Sequence, residues 1–109
     1  MSGAGIRIAY VTAPSLEAAG VLARALVTER LAGCVNLLPG MKSIYTWEGR
    51  IEEADEVVLV VKTTVDRWAE MERRIRELHP YQTPCIMGFD AAAAGDAFAR
   101  WIVDATRPV

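Results

Sequence analysis

Few side chains in this 109-residue chain could do chemistry, and they are widely spaced: one histidine, His79, and two cysteines, Cys34 and Cys85. Imidazole and thiolate together form a ligand set for copper or zinc, because soft sulfur selects Cu(I) and Zn and imidazole suits both metals. No two of the three have the short spacing of a CxxC pair, so a metal site would need them to converge in the fold or across subunits. A closed structural zinc site needs four protein ligands, which these residues do not supply. Each also has a plainer reading. His79 follows a helix end, where the dipole favours it as a cap, and either cysteine suits a small buried apolar position. Lys62 stands at the inner end of an apolar strand, where a charge must be paired or face a cleft. It is therefore a candidate pocket residue beside Tyr81.

Other chemistries find no template. The chain has no Gly-rich phosphate loop, no GxSxG and no nucleophile–base spacing. A general base at His79 would lack an identifiable acid partner, so we expect no enzyme. A formal charge of −2 and a pI near 5.4 argue against nucleic acid as a partner. Arg73, Arg74 and Arg76 cluster, but they alternate with Glu70, Glu72 and Glu77 at i,i+4 spacing, the pattern of a solvated helix face. The first apolar run, Ile6 to Ala13, is interrupted by Arg7, too short to cross a bilayer and without a basic leader. We therefore expect a single cytoplasmic domain over 1–109, with no membrane association and with free thiols.

The elements that must position these residues follow from periodicity. Ile6–Ala13 reads as a strand, and Ser15 caps a helix to about Arg30 with Leu16, Ala19, Ala23, Leu26 and Val27 on one face. A long hairpin follows from Gly33 to Thr63, turning at Glu48-Gly49 and bent at Pro39-Gly40. Thr64 or Asp66 caps a second helix to about Leu78, with Val65, Trp68, Met71 or Glu72, Ile75 and Leu78 as its stripe. Cys85–Asp90 reads as a short strand, and Gly95-Asp96 opens a last helix with Phe98, Trp101 and Ile102 on one face. The order β-α-β-β-α-β plus a helix is the α+β ferredoxin-like split βαβ arrangement, with antiparallel strands ordered 4-1-3-2 and both main helices on one face. It puts Cys34 and Cys85 on opposite edges, about 14 Å apart at ordinary strand spacing, too far for a disulfide.

The hairpin cannot be sheltered by one copy of the chain. Each arm runs to about 15 residues, or about 50 Å, whereas a 14-residue helix is only about 21 Å long. The central strand Val57-Val58-Leu59-Val60-Val61 is apolar on both faces, so one face needs cover from outside. Folding the C-terminal helix across that face is the competing arrangement, but one short helix covers too little area. We expect an obligate homo-oligomer with Val57, Leu59, Val61, Tyr45 and Trp47 at the interface, where buried aromatics dominate such contacts.

Several runs resemble the CutA family of divalent-cation-tolerance proteins. They are Ala32-Gly33-Cys34-Val35-Asn36 with Leu37-Leu38-Pro39-Gly40, Ser43-Ile44-Tyr45-Thr46-Trp47-Glu48-Gly49-Arg50-Ile51-Glu52, Glu56 through Thr63, His79-Pro80-Tyr81, and Gly95 with Phe98 and Trp101-Ile102. The resemblance implies a homotrimer of ferredoxin-like protomers, similar in architecture to the PII nitrogen-signalling proteins. It also implies a link to copper and other divalent metals, with no catalytic reaction. Family members usually carry acidic residues where this chain has Gln82 and Cys85; the second change exchanges a hard oxygen donor for a soft thiol, suited to Cu(I) or Zn. On this basis Cys34, His79 and Cys85 are candidate metal ligands, no metal being needed for the fold, and Lys62, Tyr81 and Gln82 line a ligand cleft between subunits. The alternative is a PII-like sensor without a metal role: a trimer binding a small anionic metabolite near Lys62 and docking on another protein through its hairpin tips.

Overall fold

The computed structural model of the protein describes residues 5–109; residues 1–4 of the domain expected over 1–109 lie outside them. The strands are β1 (Ile6–Ala13), β2 (Cys34–Trp47), β3 (Arg50–Thr64) and β4 (Ile86–Asp90), and the helices are α1 (Leu16–Thr28), α2 (Trp68–Leu78) and α3 (Asp96–Ala105). The strands form one antiparallel sheet in the order β2-β3-β1-β4, the ferredoxin-like arrangement expected from the order of elements. Glu48 and Gly49 both take positive φ, 50° and 78°, which gives a two-residue turn whose twist matches its strands.

Alternation along the strands assigns the two faces. Ala9, Val11, Ala13, Val57, Leu59 and Val61 point to one side and pack with Leu22 and Leu26 of α1 and Met71 and Ile75 of α2, forming the core. Val57, Leu59 and Val61, expected at a subunit interface, are thus corrected: the chain's own helices bury them to 5% exposure or less. The opposite face carries Ile8, Tyr10, Val58 and Val60, half-buried, with Leu38, Met87 and Phe89 about half exposed. This apolar strip crosses all four strands. Helix α3 lies on the same side at one end only, where Ala99 and Ile102 meet Ile6, and Cys34 packs against them. One short helix leaves most of that face bare.

The helix faces differ from the expected stripes. The buried arc of α1 is Ala19, Gly20, Leu22 and Leu26, while Leu16 and Val27 stay about half exposed; Val27 lies about 100° around from Leu26 and so points off the core. Neither Thr64 nor Asp66 caps α2, because a 3₁₀ turn, Val65–Arg67, precedes it and leaves Val65 exposed. On α3 only Ala99 and Ile102 are buried; Phe98 and Trp101 stack on each other at 5.9 Å on the exposed side. Arg30 ties the layers together. It adopts a φ of 62°, and its guanidinium donates to the carbonyl of Asp104 in the last turn of α3 and to that of Arg107 just beyond it.

A close approach on the helix side gives a direct test. A Cβ placed on Gly88 would meet the Trp68 ring at 2.8 Å; that ring is packed on the core and lies under the Arg7 guanidinium at 5.3 Å. Gly88→Ala should therefore destabilise the fold by about 1–3 kcal/mol through overpacking, read as a lower midpoint in urea unfolding. An unchanged midpoint would show that Trp68 yields freely.

Candidate functional site

Beyond Leu38 the strand β2 takes one extra residue. The pairing Leu38 with Val58 is followed by Met41 with Glu56, three steps on one strand against two on the other. This bulge at Pro39-Gly40, with Gly40 at a φ of 87°, reverses the pleat of everything that follows. Met41, Ser43, Tyr45 and Trp47 consequently fall on the open face, together with Glu56 of β3. The α2–β4 connection closes over them from the other side. The result is a cleft of about 830 Å³ lined by Tyr10, Thr12, Met41, Ser43, Tyr45, Trp47, Glu56, Tyr81, Gln82 and Cys85 among others.

Glu56 is the polar centre of this cleft. It is 9% exposed, its Oε1 accepts from the Ser43 hydroxyl at 2.6 Å, and its Oε2 accepts from the Tyr81 hydroxyl at 3.0 Å. Among the described residues no lysine or arginine forms an ion pair with it. Burial of the phenol oxygen, and then the bond to Glu56, push Tyr81 up to about 12, so its hydroxyl remains a donor at all ordinary pH. Burial pushes the Cys85 thiol up as well, and the Glu56 carboxylate adds to it; both effects oppose the thiolate.

His79 holds the loop that carries Tyr81. Its Nε2 bonds to the carbonyl of Thr12 at 2.7 Å and its Nδ1 accepts from the Tyr81 amide at 3.1 Å. A carbonyl only accepts, so the proton sits on Nε2 and both ring nitrogens are engaged. The imidazole is 7% exposed and tilted on the Tyr81 ring at 4.9 Å. It stands at the C-cap of α2, as expected, its amide donating to the carbonyl of Ile75, while its ring serves as a buried structural clamp.

The candidates read from sequence therefore divide. Tyr81, Gln82, Cys85, Tyr45 and Trp47 meet in the cleft. Lys62 does not join them within one chain: it lies six residues along β3 from Glu56, about 20 Å away, pairs in register with Cys34 and places its Nζ 5.8 Å from the Phe98 ring. Cys34 is likewise at the α3 end of the sheet, so Cys34, His79 and Cys85 do not converge in the protomer. Among the described residues no three His, Cys, Asp or Glu side chains gather as a metal site. Glu56 and Ser43 escaped notice, although Glu56 is the last charge before the apolar run of β3 and invites the question raised by Lys62.

Comparison with known proteins fits this geometry. The family model described as CutA1 divalent ion tolerance protein matches residues 7–105. A divalent-cation tolerance protein CutA from Thermus thermophilus is 40% identical over 99 residues, covering 91% of this chain and 96% of that protein; the one from Pyrococcus horikoshii is 39% identical over 100 residues, covering 92% and 97%. The crystal structure of CutA from Xylella fastidiosa superposes with a TM-score of 0.93 at 33% identity, covering 94% of this chain and 99% of that one.

The Tyr81–Glu56 bond has a spectroscopic consequence. Because burial and the Glu56 bond raise the folded-state value above the ordinary 10.0 of a tyrosine, the contribution to stability is present below pH 10.0 and is lost as pH rises through about 12. An alkaline absorbance titration should show a phenolate step near 12 that disappears in Tyr81→Phe and moves down in Glu56→Gln. A step unmoved by Glu56→Gln would assign the whole shift to burial.

Proposed function

Because this chain belongs to the CutA1 divalent ion tolerance family, we propose that it serves divalent-cation tolerance as a cytoplasmic, non-catalytic homotrimer. Its metal contacts, with copper foremost, would form where protomers meet. The observation that carries this reading is the bare apolar strip across the sheet, continued by a projecting hairpin on which Ile44 is 67%, Trp47 54% and Ile51 78% exposed. Such a surface is an aggregation hazard unless covered, and threefold closure uses a heterologous contact, one end of the face against the other. In that arrangement Cys34 and Lys62 of one copy approach Cys85, Gln82 and Tyr81 of the next. A soft metal then finds two thiols without requiring His79, whose nitrogens are both engaged. The same engagement argues against a general base and hence against catalysis.

A second reading, a PII-like sensor of small molecules, draws support from the cleft itself. Its volume of about 830 Å³ lies in the range of small-molecule sites, and the described residues of a single chain bring no three metal-binding side chains together.

Light scattering should give a trimer mass at micromolar concentration, and Phe89→Glu, on the exposed strip, should give a folded monomer by circular dichroism. A wild-type protein that is monomeric on dilution removes the trimer. Calorimetric titration with Cu(I), Cu(II) and Zn(II) should show micromolar or tighter binding, weakened about tenfold or more in Cys34→Ser or Cys85→Ser. His79→Ala should lose about 1–3 kcal/mol of stability with little change in metal affinity. Binding indifferent to both serine variants would remove the thiol site.

A further inference from the structure

Two opposite charges stand on the open face of the sheet, at the two ends of one row of β3. Positions 56, 58, 60 and 62 alternate onto that face, so Glu56 and Lys62 flank Val58 and Val60. Glu56 is 9% exposed and is held by the neutral hydroxyls of Ser43 and Tyr81. Lys62 is half-buried between Ile8 and Cys34, its register partners, with its Nζ 5.8 Å from the Phe98 ring. Among the described residues neither of the two forms an ion pair. Six residues of strand, about 20 Å, keep them from meeting within one protomer. A charge removed from water is costly unless it meets its opposite. Whatever covers the apolar strip must therefore also answer both charges.

We propose that the counter-charge of Glu56 is Lys62 of a second copy of this chain, which enters the cleft beside Tyr81 and completes it. The inference rests on the homotrimer reading above and goes beyond it by naming the contact that sets its register. One end of the open face offers a concave cleft of about 830 Å³ with a carboxylate at its centre. The other end offers an ammonium beside the half-exposed rings of Phe98 and Trp101. The two ends are complementary in charge, and a heterologous contact of one end with the other is the kind that closes a ring. An apolar strip alone slides past its neighbour at little cost. A slipped register that buries every Glu56 and Lys62 unpaired is strongly disfavoured, so the pair selects one alignment by opposing the rest. A small free anion at Lys62 serves less well, because it leaves Glu56 without a counter-charge.

The test is the trimer dissociation constant of the full-length protein, read by light scattering over a dilution series at a urea concentration that half dissociates the wild type. Lys62→Met keeps the apolar stem and removes the charge; Glu56→Gln keeps an acceptor for Ser43 and Tyr81. Each should weaken assembly about tenfold or more. The double variant should be no weaker than the weaker single one, because the same pair is lost only once. Circular dichroism on each variant checks the fold. If Glu56→Gln fails to fold, carbodiimide coupling of the wild type decides, since it joins a carboxylate to a touching amine with loss of water. Mass spectrometry should then find Glu56 linked to Lys62 in covalent dimers and trimers and not in single chains. Coupling of Lys62 to another carboxylate, or none at Glu56, overturns the pairing. A trimer in which Lys62→Met costs nothing, or costs the same with and without Glu56, also overturns it and leaves the assembly standing. Wild-type protein that is monomeric without urea removes the assembly and the pairing together.

Discussion

One extra residue in an edge strand decides where the polar chemistry of this fold sits. Without the bulge at Pro39-Gly40, continuous alternation from Leu38 would put Met41, Ser43, Tyr45 and Trp47 on the side of the two main helices. With it, they share the open face with Glu56, and the carboxylate acquires a hydroxyl donor from across the hairpin and a second from the Tyr81 loop. The same step re-aims the aromatic arm of the hairpin. Bulges are common beside functional sites for this reason, and here the glycine at positive φ makes the bend tolerable.

The second governing feature is the one-sidedness of the sheet. Two helices cover the inner part of one face and a third covers one end of the other, while the hairpin projects beyond them and leaves the chain more extended than its length requires: the radius of gyration is 14.5 Å, against about 13 Å for a compact domain of 100 residues. A buried carboxylate with no counter-ion among the described residues and a bare apolar strip both oppose stability of the lone protomer. Sequences depart from local consistency in this way mainly where function is served.

Much of this was legible from periodicity. The strand order, the Glu48-Gly49 turn and the bend at Pro39-Gly40 followed from local chemistry, because a glycine at positive φ and a proline in a strand leave few options. Runs such as Val57–Val61 announced a strand apolar on both faces but could not say which face its own helices would take, since alternation fixes parity and not direction. The stripes of α1 and α3 were misassigned for a related reason: Leu16, Val27, Phe98 and Trp101 are apolar enough for a core and yet point outward. Glu56 was hidden because its importance lies in Ser43 and Tyr81, 13 and 25 positions distant. His79 looked like a ligand until both nitrogens were accounted for. The distance between Lys62 and Tyr81 depended on register, which a single sequence does not print.

Arg30 draws these layers into one mechanical body. Its guanidinium grips the carbonyls of Asp104 in α3 and of Arg107 just past it, while its own carbonyl accepts from Arg67 at the entrance to α2 on the covered side. The C-terminal helix is thereby buckled to the helical layer around the end of the sheet, like a strap passed over an edge. Load applied to α3 is carried into the α1–β2 corner instead of peeling the helix away, so the two sides of this thin molecule must yield together.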